Sequence, residues 1–544
     1  MKNFFLSLFP ILVFVSITIF LFSKRLGLDS KGFPLIQSDA QIKLYQVVKY
    51  AQEGVSENSC YYPGKTLDPN FKFFPFDYPW AVPLEKKTLS EECYFQYPSF
   101  FAIVSLPVYR LFGLFGLTWM SFVLYILASI LIFQCLRNEI GSKGILFQSM
   151  IVGILLFGYP IYSAYEYTET TVAVVLILAF YFRLFGGQKN VSNFLSRVFD
   201  FCLGFVCSIA PILRSEMFIY LLFFGILLVL LKKELVSEVF RTRSFLLAGF
   251  IFGIIAFMVW NFSLFGHIFG VRGMLSLQDM GGSSFEKRLF LIKDFYFGNE
   301  HKIGWIRSVG VLFISIVFSN LFIPSKSSVE KNNRYFWFLN AILPVFVISV
   351  ISPYNPGNLF AGLRFTDISF YLMVFAQGII LKDFTGFPSV KEKIYTTILF
   401  VMLASQVYLQ ARITKGFFAL MVHVRDAQVE LLQIWKEHGN LPVIHKNVFD
   451  GLLISLSYLE QYHFLAINRE EAIELQNTFK MNNIPGFYLI WYDAEKPFDP
   501  NFSKEMYDTK INNKYEFPEE NYKLSSDRTE KGFRLQYYSL VGAN

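Results

Sequence analysis

Apolar runs separated by short polar stretches fill the chain up to residue 411. Most runs are about 17–20 residues long, the length that an α-helix needs to cross a hydrocarbon core roughly 30 Å thick. They predict eleven membrane spans, which are 4–22, 116–136, 145–162, 168–185, 198–213, 216–231, 244–262, 305–322, 336–352, 366–381 and 394–411. A further apolar stretch, 98–114, contains Pro107 and Arg110, which favours a re-entrant or interfacial helix over a full crossing.

The composition agrees with a polytopic helical membrane protein. Of the 544 residues, 54% are apolar and only 17% are charged, whereas a soluble chain carries about 25% charged residues. The net charge of +7 does not indicate a nucleic-acid partner, because Lys and Arg in such proteins chiefly report topology. No small-residue cleavage site follows the first span, so we expect a retained anchor.

The connections between spans differ in charge on the two sides of the membrane. Five loops on one side hold fifteen Lys and Arg residues, whereas the three short loops on the other side hold only Arg214 and Arg364. Since Lys and Arg concentrate in cytoplasmic loops, we expect a cytoplasmic N-terminus in the inner membrane. Residues after 411 are then extracytoplasmic (periplasmic), as are two large loops, 23–97 and 263–304.

Beyond residue 411 the pattern changes from long apolar runs to short ones. Asn468 and Glu471 have the spacing of a capping box at a helix N-terminus. Three short apolar runs indicate strands, at Val443–Ile444, Phe464–Ile467 and Phe487–Tyr492. We therefore predict a transmembrane domain over 1–411 and a small α/β domain over 412–544, with a short sheet and two or three helices. No element is predicted after Lys496.

The cysteines are consistent with this topology. Cys60 and Cys93 both lie in the first outer loop, where an oxidising compartment permits a disulfide between them. The other three cysteines fall in spans, where the usual role is a small buried apolar residue. No CxxC pair, His/Cys zinc spacing or Gly-rich nucleotide loop occurs in the sequence.

Polar residues that are unusual near a membrane gather at the predicted outer face. An ionisable residue at membrane depth is a functional hypothesis because its insertion is costly. The set comprises Asp39, Lys43, Glu166, Glu169, Arg214, Glu216, Asn261, His267, Arg272, Arg364 and Asp367. Charges of both signs thus come from several separate outer turns, which favours a common site.

Each of these residues also has a structural interpretation. Asp39 and Lys43 fit an i,i+4 ion pair on an amphipathic helix, and two of the acidic residues, Glu166 and Glu169, suit a helix N-terminus. Arg214 is placed to reach lipid headgroups. Asn261 and His267 fit hydrogen bonds to loop backbone.

Four local motifs resemble those of the GT-C superfamily of membrane glycosyltransferases. They are "QSDAQIKLYQ" after the first span, "LRSE" at an outer turn, "WNFSLFG" after a span and "GLRF" near a late outer turn. The similarity is greatest to the bacterial branch related to protein O-mannosyltransferases (dolichyl-phosphate-mannose-protein mannosyltransferase-like) and lipid A aminoarabinose transferases. Several branches carry an acidic pair at the first site, whereas here Asp39 is followed by Ala40.

The resemblance implies an inverting transfer from a polyprenyl-phosphate sugar to a lipid, glycan or protein acceptor. It implies Asp39 as the general base, because a carboxylate in hydrogen-bond reach accepts a hydroxyl proton well. Cationic groups would bind the donor phosphate, and those expected to do so are Arg214, Arg364, His267 and Arg272. Groups expected to orient these cations or to bind sugar or acceptor are Lys43, Glu166, Glu169, Glu216 and Asn261. The acidic groups are also candidates for a divalent cation, Mg²⁺ or Mn²⁺.

The alternatives to a glycosyltransferase are a transporter or flippase and an adhesion or sensory protein. A transporter or flippase of lipid-linked saccharides predicts internal repeats and polar residues along a central pathway, but the sequence shows no repeat and its charges lie on one face. An adhesion or sensory protein would use its outer domain for binding and would leave the charges of the turns unexplained.

Overall fold

The fold is described by a computed structural model of the chain. It describes residues 12–13, 15–20, 23, 38–55, 60–76, 81–85, 91–140, 145–165, 167–185, 194–271, 273, 285–298, 303–323, 325, 327–352, 364–382, 390–435, 439–446, 457–492, 515–530 and 533–541.

Helices make up most of the described chain. They are α1 Ser38–Glu53, α2 Ser99–Ile140, α3 Ile145–Phe157, α4 Pro160–Ala164, α5 Glu169–Phe185, α6 Phe194–Cys207, α7 Ile209–Leu213, α8 Glu216–Leu231, α9 Lys233–Thr242, α10 Ser244–Phe265, α11 Phe285–Phe297, α12 Trp305–Phe322, α13 Ser328–Ile351, α14 Asp367–Lys382 and α15 Val390–Trp435. Six helical stretches among the described residues are long and apolar enough to cross a membrane, and three shorter ones are apolar. The chain is therefore a multi-pass membrane protein.

Several helices depart from the bounds that apolar run length predicts. The stretch 98–114 continues into the span predicted at 116–136 as one helix, α2, which is kinked at Gly113. Gly113 has φ 61° and ψ −152°, a conformation that is essentially restricted to glycine. The span predicted at 145–162 is interrupted before Pro160, where α3 ends and α4 begins. Of the first span, only residues 12–13, 15–20 and 23 are described, and they are helical.

The chain forms two compact units. One, here called the bundle unit, comprises Met1–Leu28 and Thr118–Phe418. The other, here called the sheet unit, comprises Asp29–Leu117 and Ala419–Asn544. The first large loop therefore folds with the C-terminal part of the chain.

A five-stranded mixed sheet forms the C-terminal part of the sheet unit. Its strands are β3 Val443–His445, β4 His463–Leu465, β5 Gly486–Tyr492, β6 Tyr522–Glu530 and β7 Phe533–Leu540, in the order β4-β3-β5-β7-β6. Strand β3 pairs in parallel with β4 and β5, and β7 pairs antiparallel with β5 and β6. The hairpin β6–β7 lies in the tail after Lys496, where the sequence has no strong periodicity and predicted no element. In "FRLQYYSL" the buried residues are Phe533, Leu535 and Tyr538, so burial along β7 does not alternate strictly.

Helices cover both faces of this sheet. The end of α15 buries Leu431 and Trp435 against Val443, Ile490 and Leu535. On the opposite face lies α16, Arg469–Met481, which connects β4 to β5. At its start Asn468 is the N-cap, as predicted, because its Oδ1 accepts from the backbone N–H of Glu471 at 2.9 Å. Glu471 Oε2 in turn accepts from the backbone N–H of Ile467, one residue before the N-cap, at 2.8 Å.

Two histidines on neighbouring strands form a buried hydrogen-bonded pair. His445 Nε2 lies 2.7 Å from His463 Nδ1, and His463 Nε2 lies 2.9 Å from Ser457 Oγ. Burial lowers the pKa of His445 to about 3, and burial together with the adjacent His445 lowers the pKa of His463. Both imidazoles are therefore neutral near pH 7.

The first loop supplies the rest of the sheet unit. A hairpin of β1 Ala81–Glu85 and β2 Glu91–Phe95 precedes α2. Cys60 and Cys93 are joined by a disulfide, with 5.3 Å between their Cα atoms. Backbone pairing also reaches the C-terminal sheet, since Leu465 N–H donates to the carbonyl of Phe73 at 2.9 Å. The first loop and the C-terminal part are thus joined by a backbone hydrogen bond.

Candidate functional site

Helix α1 presents three polar side chains to a single residue, Tyr97. Asp39, Lys43 and Gln46 are spaced four and three residues apart, which places them on one face of the helix. Tyr97 OH donates to Asp39 Oδ1 at 2.5 Å. Lys43 Nζ lies over the Tyr97 ring, 4.7 Å from its centroid, and Gln46 Nε2 donates to the Tyr97 carbonyl at 3.0 Å. We call these four residues the Asp39 network.

The helix that carries Asp39 is buried on all sides. Every residue from Ala40 to Tyr50 has at most 8% of its surface exposed, and Lys43 has 1%. Between Ala40 and Tyr50 the helix therefore has no solvated face. Its polar side is covered by the segment around Tyr97 and Phe101, which a local sequence pattern does not reveal.

Aromatic residues of the sheet unit cover the other side of α1. The Tyr45 ring lies 4.5 Å from that of Tyr458 and 5.3 Å from that of Phe76. Tyr458 OH also donates to the carbonyl of Tyr61 at 2.7 Å. Offset and edge-to-face ring pairs of this kind add stability beyond area burial. The C-terminal part of the chain therefore helps to hold the helix that carries Asp39.

In the bundle unit, Arg214 stands between two carboxylates. Its Nε donates to Glu216 Oε1 at 2.6 Å and its Nη1 donates to Glu169 Oε1 at 3.1 Å. Phe365 covers the guanidinium, with its ring centroid 4.7 Å from Cζ. All four side chains are buried. We call them the Arg214 cluster.

The Arg214 cluster is built from three separate turns. Glu169 begins α5, Glu216 begins α8, and Phe365 lies in the short turn before α14. An acidic residue in the first turn of a helix is stabilised by the helix dipole. The two carboxylates therefore interact favourably with the N-termini of their helices as well as with Arg214. Arg214 Nη2 is buried and has no hydrogen-bond partner among the described residues.

The other predicted site residues have local partners or only partly described positions. Asn261 Nδ2 donates to the carbonyl of Ile268 at 3.3 Å, and His267 Nδ1 accepts from the backbone N–H of Phe269 at 3.3 Å. Both side chains therefore form hydrogen bonds with backbone groups of the loop, as their structural interpretation predicted. Glu166 and Arg272 lie outside the described residues, and Arg364 is described in its backbone only, as the first residue of a 3₁₀ turn.

The acidic residues expected to hold a divalent cation are Glu166, Glu169 and Glu216. Within the described ranges no three His, Cys, Asp or Glu side chains converge on one point. Glu169 and Glu216 are both bonded to Arg214. Glu166, the third acidic residue proposed for a cation, is outside the described ranges, so Mg²⁺ or Mn²⁺ stays an expectation.

Three residues of these sites carry no signal that singles them out in the sequence. Tyr97 and Phe365 are aromatic residues in an aromatic-rich chain, of which 19% is Phe, Trp or Tyr. Tyr458 lies in the C-terminal part of the chain, far from its partner Tyr45. For Tyr97 alone the sequence offers a signal, the following Pro98, because the residue before a proline is restricted to extended backbone conformations.

Comparisons with known proteins bear on the fold. No protein-family model matches the chain, and no curated protein matches it in sequence. Among solved structures, ArnT from Cupriavidus metallidurans bound to undecaprenyl phosphate is similar over 97% of both chains, with 11% identity and a TM-score of 0.51. The apo state of that protein has a TM-score of 0.48, with the same identity and coverage.

A more distant similarity is to the Archaeoglobus fulgidus oligosaccharyltransferase complexed with Zn and sulfate. It covers 89% of this chain and 68% of that one, with 10% identity and a TM-score of 0.43. The likeness that carries weight is the one to undecaprenyl phosphate-bound ArnT, which extends along nearly the whole chain. The chain therefore has a fold similar to that of ArnT.

Proposed function

We propose that the chain is a membrane glycosyltransferase that moves a sugar from a polyprenyl-phosphate donor to a lipid, glycan or protein acceptor. The observation that carries this proposal is Asp39, a carboxylate on a buried helix that accepts a hydrogen bond from Tyr97. Two further features support it: the ArnT-like fold, and the presence of undecaprenyl phosphate in the similar structure.

The proposed reaction is a single inverting displacement at the anomeric carbon. Asp39 takes the proton of the acceptor hydroxyl as its oxygen bonds to the anomeric carbon. The bond from that carbon to the phosphate oxygen breaks, and polyprenyl phosphate leaves with the electron pair. A general base contributes about 10²–10⁴-fold when it is held within reach of the proton, which is what a side chain fixed by its neighbours provides.

We assign the donor phosphate to cationic residues of the outer turns. Arg214 is the best described of them, because its fork is oriented by Glu169 and Glu216 while Nη2 has no partner among the described residues. Oriented donors of this kind stabilise charge that develops on a leaving group. Further assignments, made from the family resemblance, are Arg364, His267 and Arg272 on the phosphate and Lys43, Glu166 and Asn261 on sugar or acceptor.

We further propose that transfer takes place at the outer face of the cytoplasmic membrane. The charge asymmetry of the loops supports this orientation, because it puts the Lys- and Arg-rich loops in the cytoplasm. A site at the bilayer surface allows the polyprenyl tail to remain in lipid while its phosphate reaches the cationic groups.

Replacement of Asp39 tests this proposal. Asp39→Asn keeps the size of the side chain and removes the base, so we expect turnover to fall by about 10²-fold or more. Glu53→Gln is the matched control, since Glu53 is an exposed carboxylate at the end of the same helix. Surface glycan of cells expressing each variant, and release of polyprenyl phosphate from donor by purified protein, are measured at equal protein levels. Full activity of a well-folded Asp39→Asn protein would refute the assignment of the base.

A further inference from the structure

We infer that Tyr97 is the positioning residue that orients Asp39 for proton transfer, a role that rests on the glycosyltransfer proposed above. Tyr97 does not itself contact substrate in this inference. It acts through its hydroxyl group, which donates to Asp39 Oδ1 at 2.5 Å. The sequence interpretation assigned no role to this residue.

Tyr97 is held at three points by a single helix. Its hydroxyl binds Asp39, its ring lies beneath the Lys43 ammonium, and its carbonyl accepts from Gln46. These contacts use successive positions along one face of α1. Any rotation of the Asp39 carboxylate would break a hydrogen bond that the rest of the network holds in place.

The backbone of Tyr97 is also constrained from the following residue. Pro98 restricts Tyr97 to extended conformations, and α2 begins directly afterwards at Ser99. Tyr97 has 3% of its surface exposed. The ring therefore reaches Asp39 from a fixed backbone position, and this preorganises the carboxylate at no cost during the reaction.

A purely structural role would be met more simply by an apolar contact. Burying polar groups costs free energy unless they are hydrogen-bonded, yet this interface buries a lysine, a glutamine and a tyrosine hydroxyl around one carboxylate. Hydrogen bonds donated to a carboxylate favour its charged form. The network therefore keeps Asp39 oriented and ready to accept a proton.

The test is Tyr97→Phe, which removes the hydroxyl and keeps the ring under Lys43. We expect kcat to fall by about 10-fold with an unchanged donor KM, since one hydrogen bond to a charged group is lost. The acid limb of the pH–kcat profile should move upward by about 1 pH unit, because a carboxylate without that donor binds its proton more readily. Tyr50→Phe is the matched control, as it removes a buried tyrosine from α1, the helix that carries Asp39, without touching the Tyr97–Asp39 bond.

A second substitution tests the role in the opposite direction. Monofluorotyrosine at position 97 keeps the shape of the side chain and makes its hydroxyl a stronger donor, so the acid limb should move to lower pH. Movement of the limb in opposite directions in these two proteins, with none in Tyr50→Phe, is the expected result. Opposite shifts would not arise from a loss of packing.

The outcomes separate this inference from the proposed function. If Asp39→Asn is inactive while Tyr97→Phe retains the kcat and pH profile of the wild type, the positioning role is refuted and the proposed function stands. If Tyr97→Phe loses activity at all pH values with no movement of the acid limb, the role is structural and the inference is again refuted. Full activity of Asp39→Asn would overturn both.

Discussion

The ring of Tyr458 lies 4.5 Å from the ring of Tyr45, which joins the C-terminal part of the chain to the buried helix that carries Asp39. Tyr458 adds a hydrogen bond to the carbonyl of Tyr61. The C-terminal segment thus contributes to the immediate support of the candidate base.

Truncation of this aromatic contact should loosen α1. Tyr458→Ala removes a fully buried ring and leaves a cavity, so we expect the free energy of unfolding of the sheet unit to fall by about 3–5 kcal/mol. Tyr458→Phe keeps the ring and loses only one hydrogen bond, which is worth about 1 kcal/mol. Chemical denaturation followed by intrinsic fluorescence measures both values.

The neighbouring Tyr462 provides the control for this experiment, because 40% of its surface is exposed. Tyr462→Ala should change stability by less than about 0.5 kcal/mol. Equal losses in Tyr458→Ala and Tyr462→Ala would contradict the role given to the ring pair.

The His445–His463 pair predicts acid sensitivity of the sheet unit. Both pKa values are lowered in the folded state from the ordinary value of 6.5, so the unfolded chain binds protons that the folded chain does not. Stability is therefore complete above about pH 6.5 and falls as the pH drops below that value. The slope should be about 1.4 kcal/mol per pH unit for each histidine.

Unfolding midpoints of wild type and His445→Gln between pH 7.5 and 4.5 check this expectation. The variant has one histidine fewer to protonate, so its midpoint should change less with pH than that of the wild type. Parallel curves for the two proteins would show that acid sensitivity arises from other groups.

Binding of polyprenyl phosphate to Arg214 can be tested without measuring turnover. Arg214→Met leaves Glu169 and Glu216 buried without their cation, which costs about 3–5 kcal/mol. If Nη2 binds phosphate, added polyprenyl phosphate should stabilise the wild type by about 2.7 kcal/mol at 100 times its Kd and Arg214→Met far less. Thermal unfolding in detergent with and without this lipid measures the difference.

Arg183 offers a matched control in the same unit. It is bonded to the buried Asp200 at 2.7 Å, so Arg183→Met also removes an arginine from a buried carboxylate. That variant should be destabilised yet keep its response to polyprenyl phosphate. A response that survives in Arg214→Met would rule out Arg214 as a phosphate ligand.

The disulfide should stabilise the first loop by restricting its unfolded state. Cys60 and Cys93 are 33 residues apart, and closing a loop of that length is worth about 4 kcal/mol in the chain-entropy account. The double variant Cys60→Ser/Cys93→Ser should lose about that much stability, measured by denaturation without reductant. Cys202→Ser, which alters an exposed free cysteine, should show no loss.

Local sequence signals predicted much of the fold. The apolar runs at 216–231 and 305–322 coincide with α8 and α12, and the capping box at Asn468 correctly marked the start of α16. Such features depend on neighbouring residues only. The kink at Gly113 and the hairpin β6–β7 were missed, because a glycine's backbone angles and weak strand alternation are decided by packing.

Local sequence signals predicted only part of the candidate site. Arg214 and Glu216 lie two residues apart, and "LRSE" drew attention to them together. Tyr97 and Asp39 are separated by 58 residues, and no periodic pattern connects positions so far apart. The sequence therefore identified charged groups near turns, while their partners required the tertiary structure.

The sheet unit combines residues from both ends of the chain, Asp29–Leu117 and Ala419–Asn544, and this has a consequence for biogenesis. Helix α1 is made first, but Tyr458 is made only after the whole bundle unit. At about 5–20 residues per second, the roughly 400 residues between α1 and Tyr458 take about 20–80 s to synthesise. During that interval the Asp39 helix has no C-terminal partner, so a protein shortened before Tyr458 would lack part of the support of α1 and not merely an appended domain. Synthesis as far as Tyr458 is thereby a precondition for the aromatic packing on the other side of α1.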